Sequence, residues 1–223
     1  MKVIGLKLAL HAALLAIFFA GVARADDTDT SAHSKRPLYS KQALQSKIEY
    51  CQTCHGPSGE GARGSLPIPR LAGQQTKYLE NQLRNFVVHR RQHNVMSNAV
   101  NGMSPAEISA LATYFSELNP KPVGGASREA VAAGKKIYEE GLPETNVPAC
   151  MSCHGPEAKG NGEFPRLAGQ LNDYVIKKLT NWEKERGKDP TLPDKSAAIM
   201  KPMAHSLSDA QIAAVAAYLS YLE

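Results

Sequence analysis

Apolar positions recur at helical spacing near the end of each half of the chain. Ile108, Leu111, Ala112 and Phe115 fall on one helix face, and Ile212, Val215, Ala216 and Leu219 repeat the pattern in the second half. Each run follows a start signal. Ser104-Pro105-Ala106-Glu107 is a capping box with proline at the first helical position, and Ser208-Asp209-Ala210-Gln211 is a second box. Residues 74–90 and 170–185 also carry a helical pattern, and no run reads as a strand. Proline and glycine punctuate residues 119–125, where no period continues. The pattern predicts an all-α chain of two tandem helical lobes, over residues 42–118 and 128–223, joined by a linker at 119–127.

The N-terminus is organised differently. Lys2 and Lys7 precede an apolar run over about residues 8–20, and Ala23-Arg24-Ala25 supplies the small residues of an export cleavage site. The run is shorter than the ~20 apolar residues a membrane span needs. Residues 1–25 are therefore expected to be a signal peptide cleaved after Ala25, which implies export to the periplasm. A polar lead-in follows at 26–41. Cleavage removes Lys2, Lys7 and Arg24, so 26 basic residues become 23 against 21 acidic, and the net charge falls from +5 to +2. No basic block with interleaved aromatics remains, and nucleic acid is not an expected partner.

The two halves are copies of one plan. Each has a helical segment, then Cys-Xaa-Xaa-Cys-His-Gly-Pro, a glycine-rich loop, Pro-Arg-Leu-Ala-Gly-Gln, a second helical segment, a methionine-bearing loop and a closing helix. The hexapeptide occupies residues 69–74 and again 165–170. All four cysteines lie in the two motifs, Cys51-Gln52-Thr53-Cys54-His55 and Cys150-Met151-Ser152-Cys153-His154. An exported chain with four cysteines could hold disulfides, but the histidines point elsewhere. Two intervening residues let both thiols reach the vinyl groups of one haem, and the next residue lies below the iron. Zinc ribbons place their pairs ~15–20 residues apart, far closer than these. A thioredoxin-like pair needs a βαβ context. The expectation is two covalently attached haem c groups, on Cys51, Cys54 and on Cys150, Cys153, with His55 and His154 as axial iron ligands.

The sixth ligand is chosen by aligning the repeats. Superposing the two helix entrances matches Met103 with Leu207 and Met96 with Met200. Met103 is then a core residue, while Met96 and Met200 are the expected second axial ligands, since a thioether is a known ligand for haem iron. Met203 matches Ala99 and is the competitor to Met200. His205, His89 and His93 have no counterpart histidine, and the last two are expected on a solvated face with Arg90 and Arg91. Met151 is expected to pack. A ligating histidine donates its other ring proton to a carbonyl or carboxylate, and the carbonyls of Pro69 and Pro165 are the candidates. Arg70 and Arg166 are either exposed loop charges or partners of haem propionates. Methionine opposite histidine raises the reduction potential, and a filled sixth position leaves little room for a substrate.

With both motifs, both hexapeptides, Met96, Met200, the Leu207-Ser208-Asp209 entrance and the Val147-Pro148-Ala149-Cys150 approach, the chain resembles the dihaem cytochrome c4 family from about Ala43 to its end. The resemblance implies two cytochrome-c-like lobes related by a pseudo-twofold axis, haems facing through their propionates, His/Met iron, and electron delivery toward a terminal oxidase. It implies redox partners: a membrane oxidase, an upstream dehydrogenase or a quinol-oxidising complex, with membrane association only through them. The segment before Cys51 departs from the pattern, lacking the Gly-Lys-Lys-Ile-Tyr seen at residues 134–138. An electron carrier that is not an enzyme is the leading expectation. A cytochrome subunit of a dehydrogenase is the alternative, followed by a dihaem peroxidase or a sulfur-compound oxidoreductase.

Overall fold

The computed structural model describes residues 39–184, Arg186 and residues 195–223. The leader, its cleavage site and the lead-in as far as residue 38 lie outside the described residues. Nine α-helices carry the described fold, with isolated β-bridges as the only sheet-like pairing among the described residues. The first lobe comprises α1 (Lys41–His55), α2 (Thr76–Val87), α3 (Asn94–Ala99) and α4 (Pro105–Glu117). The second comprises α5 (Arg128–Glu140), α6 (Met151–His154), α7 (Asn172–Thr180), α8 (Lys195–His205) and α9 (Asp209–Leu219). The all-α, two-lobed expectation holds.

Local chemistry sets the helix ends. Ser40 caps α1 by accepting from the Ala43 amide at 3.0 Å. Both capping boxes form as the pattern predicts, with Glu107 and Gln211 reaching back to the cap amides. The middle helices are shorter than expected. α2 stops at Val87, because His89 turns into the left-handed region at φ 58°. Gln74 and Gln170 lie outside α2 and α7, their side chains engaged elsewhere as described below. The methionine-bearing segments are helical rather than loops: Met96 lies on α3, and Met200 and Met203 lie on α8.

In the first lobe, Ile48, Leu79, Phe86, Val100, Met103, Ile108, Leu111 and Phe115 form one core. The second core joins Tyr138, Val175, Val215, Tyr218 and Leu219, and Met151 packs against it. The lobes differ where the hexapeptide plan does not apply. α1 runs unbroken into its Cys-Xaa-Xaa-Cys-His motif, whereas α5 ends at Gly141 and a turn bridged between Leu142 and Val147 precedes α6. α5 crosses α9 at Gly134, where a Cβ would fall 1.9 Å from the Ala214 carbonyl oxygen. Gly134 belongs to the Gly-Lys-Lys-Ile-Tyr pattern that the segment before Cys51 lacks.

Candidate haem sites and the lobe interface

Each site is built on the C-terminal turn of a helix. α1 places Cys51 and Cys54 one turn apart and His55 at its end, and Gly56 at φ 84° turns the chain away. In the second lobe Cys150 is the N-cap of α6, which carries Cys153 and ends at His154, with Gly155 at φ 80°. None of the four cysteines is in a disulfide; Cys51 and Cys150 are half-buried and Cys54 and Cys153 exposed. Burial pushes the Cys51 thiol above its ordinary range and the Cys150 thiol up to about 11. Among the described residues, no group of three histidine, cysteine or carboxylate side chains is arranged to hold a metal ion directly.

The two histidines are buried and oriented identically. His55 Nδ1 lies 2.9 Å from the Pro69 carbonyl oxygen, and His154 Nδ1 lies 3.0 Å from the Pro165 carbonyl oxygen. A carbonyl only accepts, so Nδ1 carries the proton in both rings and Nε2 keeps its lone pair. Burial pushes both histidines below their ordinary pKa, with the carbonyl bond opposing it. The neutral imidazole that iron requires is therefore the favoured form. The loop from histidine to proline spans 14 residues in the first lobe and 11 in the second, yet the carbonyl arrives at the same place. The longer loop carries Arg63, which donates to the Gly125 carbonyl at 3.2 Å and pairs with Asp173 at 3.6 Å.

The hexapeptide has the same fold in both lobes. Leu71 and Ala72 amides donate to the Gly59 carbonyl, and Leu167 and Ala168 amides donate to that of Ala158. Gly73 and Gly169 amides donate to the ends of α4 and α9. Arg70 is not a loop charge. It is 3 % exposed, and its guanidinium donates to the Ala72, Pro120 and Lys121 carbonyls at 3.0, 2.8 and 3.4 Å. It holds the linker against the first lobe. Arg166 Nε donates to the Ala168 carbonyl at 3.0 Å. Burial, then the nearby Arg166 charge, pushes Arg70 down to about 10. The two guanidinium groups thus lie close enough to feel each other's charge.

The terminal glutamines carry a role that sequence reasoning missed. Gln74 Oε1 accepts from the Arg166 amide at 2.7 Å, and its Nε2 donates to the Arg166 carbonyl at 2.9 Å. Gln170 returns the arrangement on Arg70, at 2.9 and 3.0 Å. The signal was the exact recurrence of glutamine at the end of both hexapeptides. Arg91 also departs from the expected solvated face. It is buried, stacks on Phe86 at 4.8 Å and donates to Tyr174 of the other lobe at 3.1 Å, while His89 and His93 are exposed.

Met96 is half-buried and packs, like Cys51, against the first core, in which Met103 is a buried member. Met200 and Met203 are both half-buried on α8, which packs against α7. Trp182 Nε1 donates to the Ala197 carbonyl at 3.2 Å, and Glu183 pairs with Lys201 at 3.1 Å and with His205 at 3.6 Å. His205 is thus on the surface of α8.

Two equivalent Cys-Xaa-Xaa-Cys-His helix ends, each with a buried neutral histidine and an all-helical lobe around it, define a c-type cytochrome carrying two covalent haems. The cytochrome c family profile matches residues 48–119 and 131–223. The chain is 39% identical over 173 residues to a thiosulfate dehydrogenase electron acceptor of Thiomonas intermedia, covering 76% of this chain and 77% of that one. It is 39% identical over 178 residues to cytochrome c4 of Thiocapsa roseopersicina, covering 77% and 86%. The solved cytochrome c4 of Acidithiobacillus ferrooxidans superposes with a TM-score of 0.66 at 35% identity, covering 78% of this chain and 99% of that one. The chain belongs to the cytochrome c family and, within it, to the dihaem cytochromes c4. It is an electron-transfer protein with two covalently attached haem c groups.

Proposed function

We propose that the protein shuttles electrons in the periplasm, each haem held by two thioethers and ligated axially by His55 and Met96 in the first lobe and by His154 and Met200 in the second. The observation that carries this reading is the pair of buried histidines with Nδ1 committed to a proline carbonyl. Bound haem supplies a one-electron ferric–ferrous couple. The chain's part is to hold that couple and keep it selective. The cysteines anchor the ring, the apolar cores exclude water, and the Nδ1 protons stay on the histidines in both oxidation states. Electron uptake therefore requires no proton transfer on the ligand set. A methionine on each iron closes the site to substrate, which supports a carrier rather than an enzyme.

A potentiometric titration with visible spectra tests this reading. Two low-spin haems with the far-red methionine–iron band, both of high potential and unreactive toward carbon monoxide and peroxide, are expected. A high-spin or carbon-monoxide-binding haem contradicts it. Export with cleavage after Ala25 predicts a mature chain beginning at Asp26, which N-terminal sequencing reads directly.

The Thiomonas relative favours a second reading of the electron source, in which a thiosulfate-oxidising dehydrogenase reduces the protein, in place of a quinol-oxidising complex. Delivery toward a terminal oxidase fits either source. Stopped-flow reduction by each donor, followed by reoxidation with an oxidase, separates the two.

A further inference from the structure

We propose that Gln74 and Gln170 are crossed positioning residues, each strengthening the electron donation of the axial histidine in the opposite lobe. The inference rests on His55 and His154 being axial ligands. The Pro69 carbonyl and the Arg70 amide N–H belong to one peptide group. The carbonyl accepts from His55 Nδ1 at 2.9 Å, and the amide donates to Gln170 Oε1 at 2.9 Å. The second lobe repeats the chain with crossed partners: His154 Nδ1 to the Pro165 carbonyl at 3.0 Å, and the Arg166 amide to Gln74 Oε1 at 2.7 Å. Each axial histidine is thus two hydrogen bonds and one peptide group away from a side chain of the other lobe.

The physics of the peptide gives the link a direction. An acceptor on the N–H draws electron density through the conjugated amide onto the carbonyl oxygen, and hydrogen-bond chains strengthen by roughly 10–30% per bond. A more basic carbonyl pulls harder on the histidine Nδ1 proton and makes Nε2 a better donor to iron. Stronger donation favours the ferric state and lowers the potential. The glutamines are built for this. Gln74 is 6% exposed and Gln170 8%, so water does not compete. Each amide also donates from Nε2 to the same arginine's carbonyl, which fixes its oxygen on the arginine N–H. Each Oε1 accepts in addition from the next residue's amide in its own lobe, Gln75 or Leu171. A glutamine that only tied the lobes together would not need its oxygen on the one amide whose carbonyl holds a haem ligand.

The test uses the reduced, diamagnetic holoprotein, with the histidine Nδ1–H resonances assigned by NMR and the potential of each haem measured. Gln170→Ala is expected to move the His55 Nδ1–H resonance upfield and raise the potential of the first-lobe haem, leaving His154 and its haem unchanged. Gln74→Ala is expected to do the reverse. Shifts confined to the mutated lobe, equal shifts in both lobes, or no shift would overturn the proposal. If the alanine variants open the interface, Gln170→Glu, measured at a pH where its buried carboxyl is protonated, retains the acceptor oxygen for the Arg70 amide and an O–H donor for the Arg70 carbonyl. The His55 resonance then stays in place or moves downfield, and an upfield shift counts against the relay. A wild-type spectrum lacking His/Met low-spin signatures would overturn the axial assignment itself. Intact signatures without the crossed pattern overturn only the relay.

Discussion

At the residue scale, the site separates attachment from tuning. The cysteines and histidines occupy rigid helix ends, while the methionines lie on separate short helices that each lobe brings up from later in the chain. The repeat equivalence of Met96 and Met200 yields a sharp expectation. Met200→Ala should convert one haem from low spin to high spin and abolish its methionine–iron band, whereas Met203→Ala should preserve both haems' spectra. Met96→Ala should do to the other haem what Met200→Ala does to the first. Optical and electron paramagnetic resonance spectra of the three variants decide this, and loss of ligation in Met203→Ala alone would transfer the role to that residue.

At the element scale, stability depends on how helices start and cross. Gly134 lets α5 approach α9 until backbone meets backbone, and the added methyl of Gly134→Ala has no space. Overpacking of this kind costs about 1–3 kcal/mol. The variant should lose that much in denaturant titration, with a lower melting temperature for the second lobe. The start of α4 carries a pH signature. The Ser104 amide and hydroxyl hold the Glu107 carboxyl below its ordinary range. A carboxyl lowered in the folded state contributes stability above its unfolded value of 4.5, and that contribution disappears as pH falls through the lowered folded value. Ser104→Ala should cost about 1 kcal/mol at neutral pH, the usual worth of a cap. The gap from wild type should narrow as pH falls from 4.5 through the lowered folded value and the carboxyl protonates. Urea titrations at pH 7 and pH 3.5 check both parts.

At the scale of the whole molecule, polar contacts bridge the lobes. The reciprocal glutamines, Arg63, Arg91 and the linker clamp at Arg70 all reach across lobes or onto the linker. Arg70→Leu would strip donors from the Ala72, Pro120 and Lys121 carbonyls, and unsatisfied buried groups cost about 1–3 kcal/mol each. The expected result is a loss of about 2–4 kcal/mol, allowing for partial rehydration, with faster proteolysis in the linker at residues 119–127. Limited proteolysis alongside a melting curve measures this, and an unchanged cleavage rate would show that the linker is held by other contacts.

Much of this architecture was legible from residues alone, because its determinants are local. The two Cys-Xaa-Xaa-Cys-His motifs, the capping boxes and the helical periods each operate within a turn or two of chain. Repetition extended that reach. It separated Met103, a core residue, from Met96, and it pointed to the proline carbonyls that the histidines meet. Three features needed the tertiary structure: the burial of Arg70 and Arg91, the unbroken α1 beside the divided α5 and α6, and the crossed glutamines. Gln74 meets Arg166 across 92 residues of chain, and Gln170 meets Arg70 across 100. No spacing rule spans such distances. A hexapeptide repeated in one chain announces that both copies matter, but that each copy grips the other follows only from how the two lobes pack.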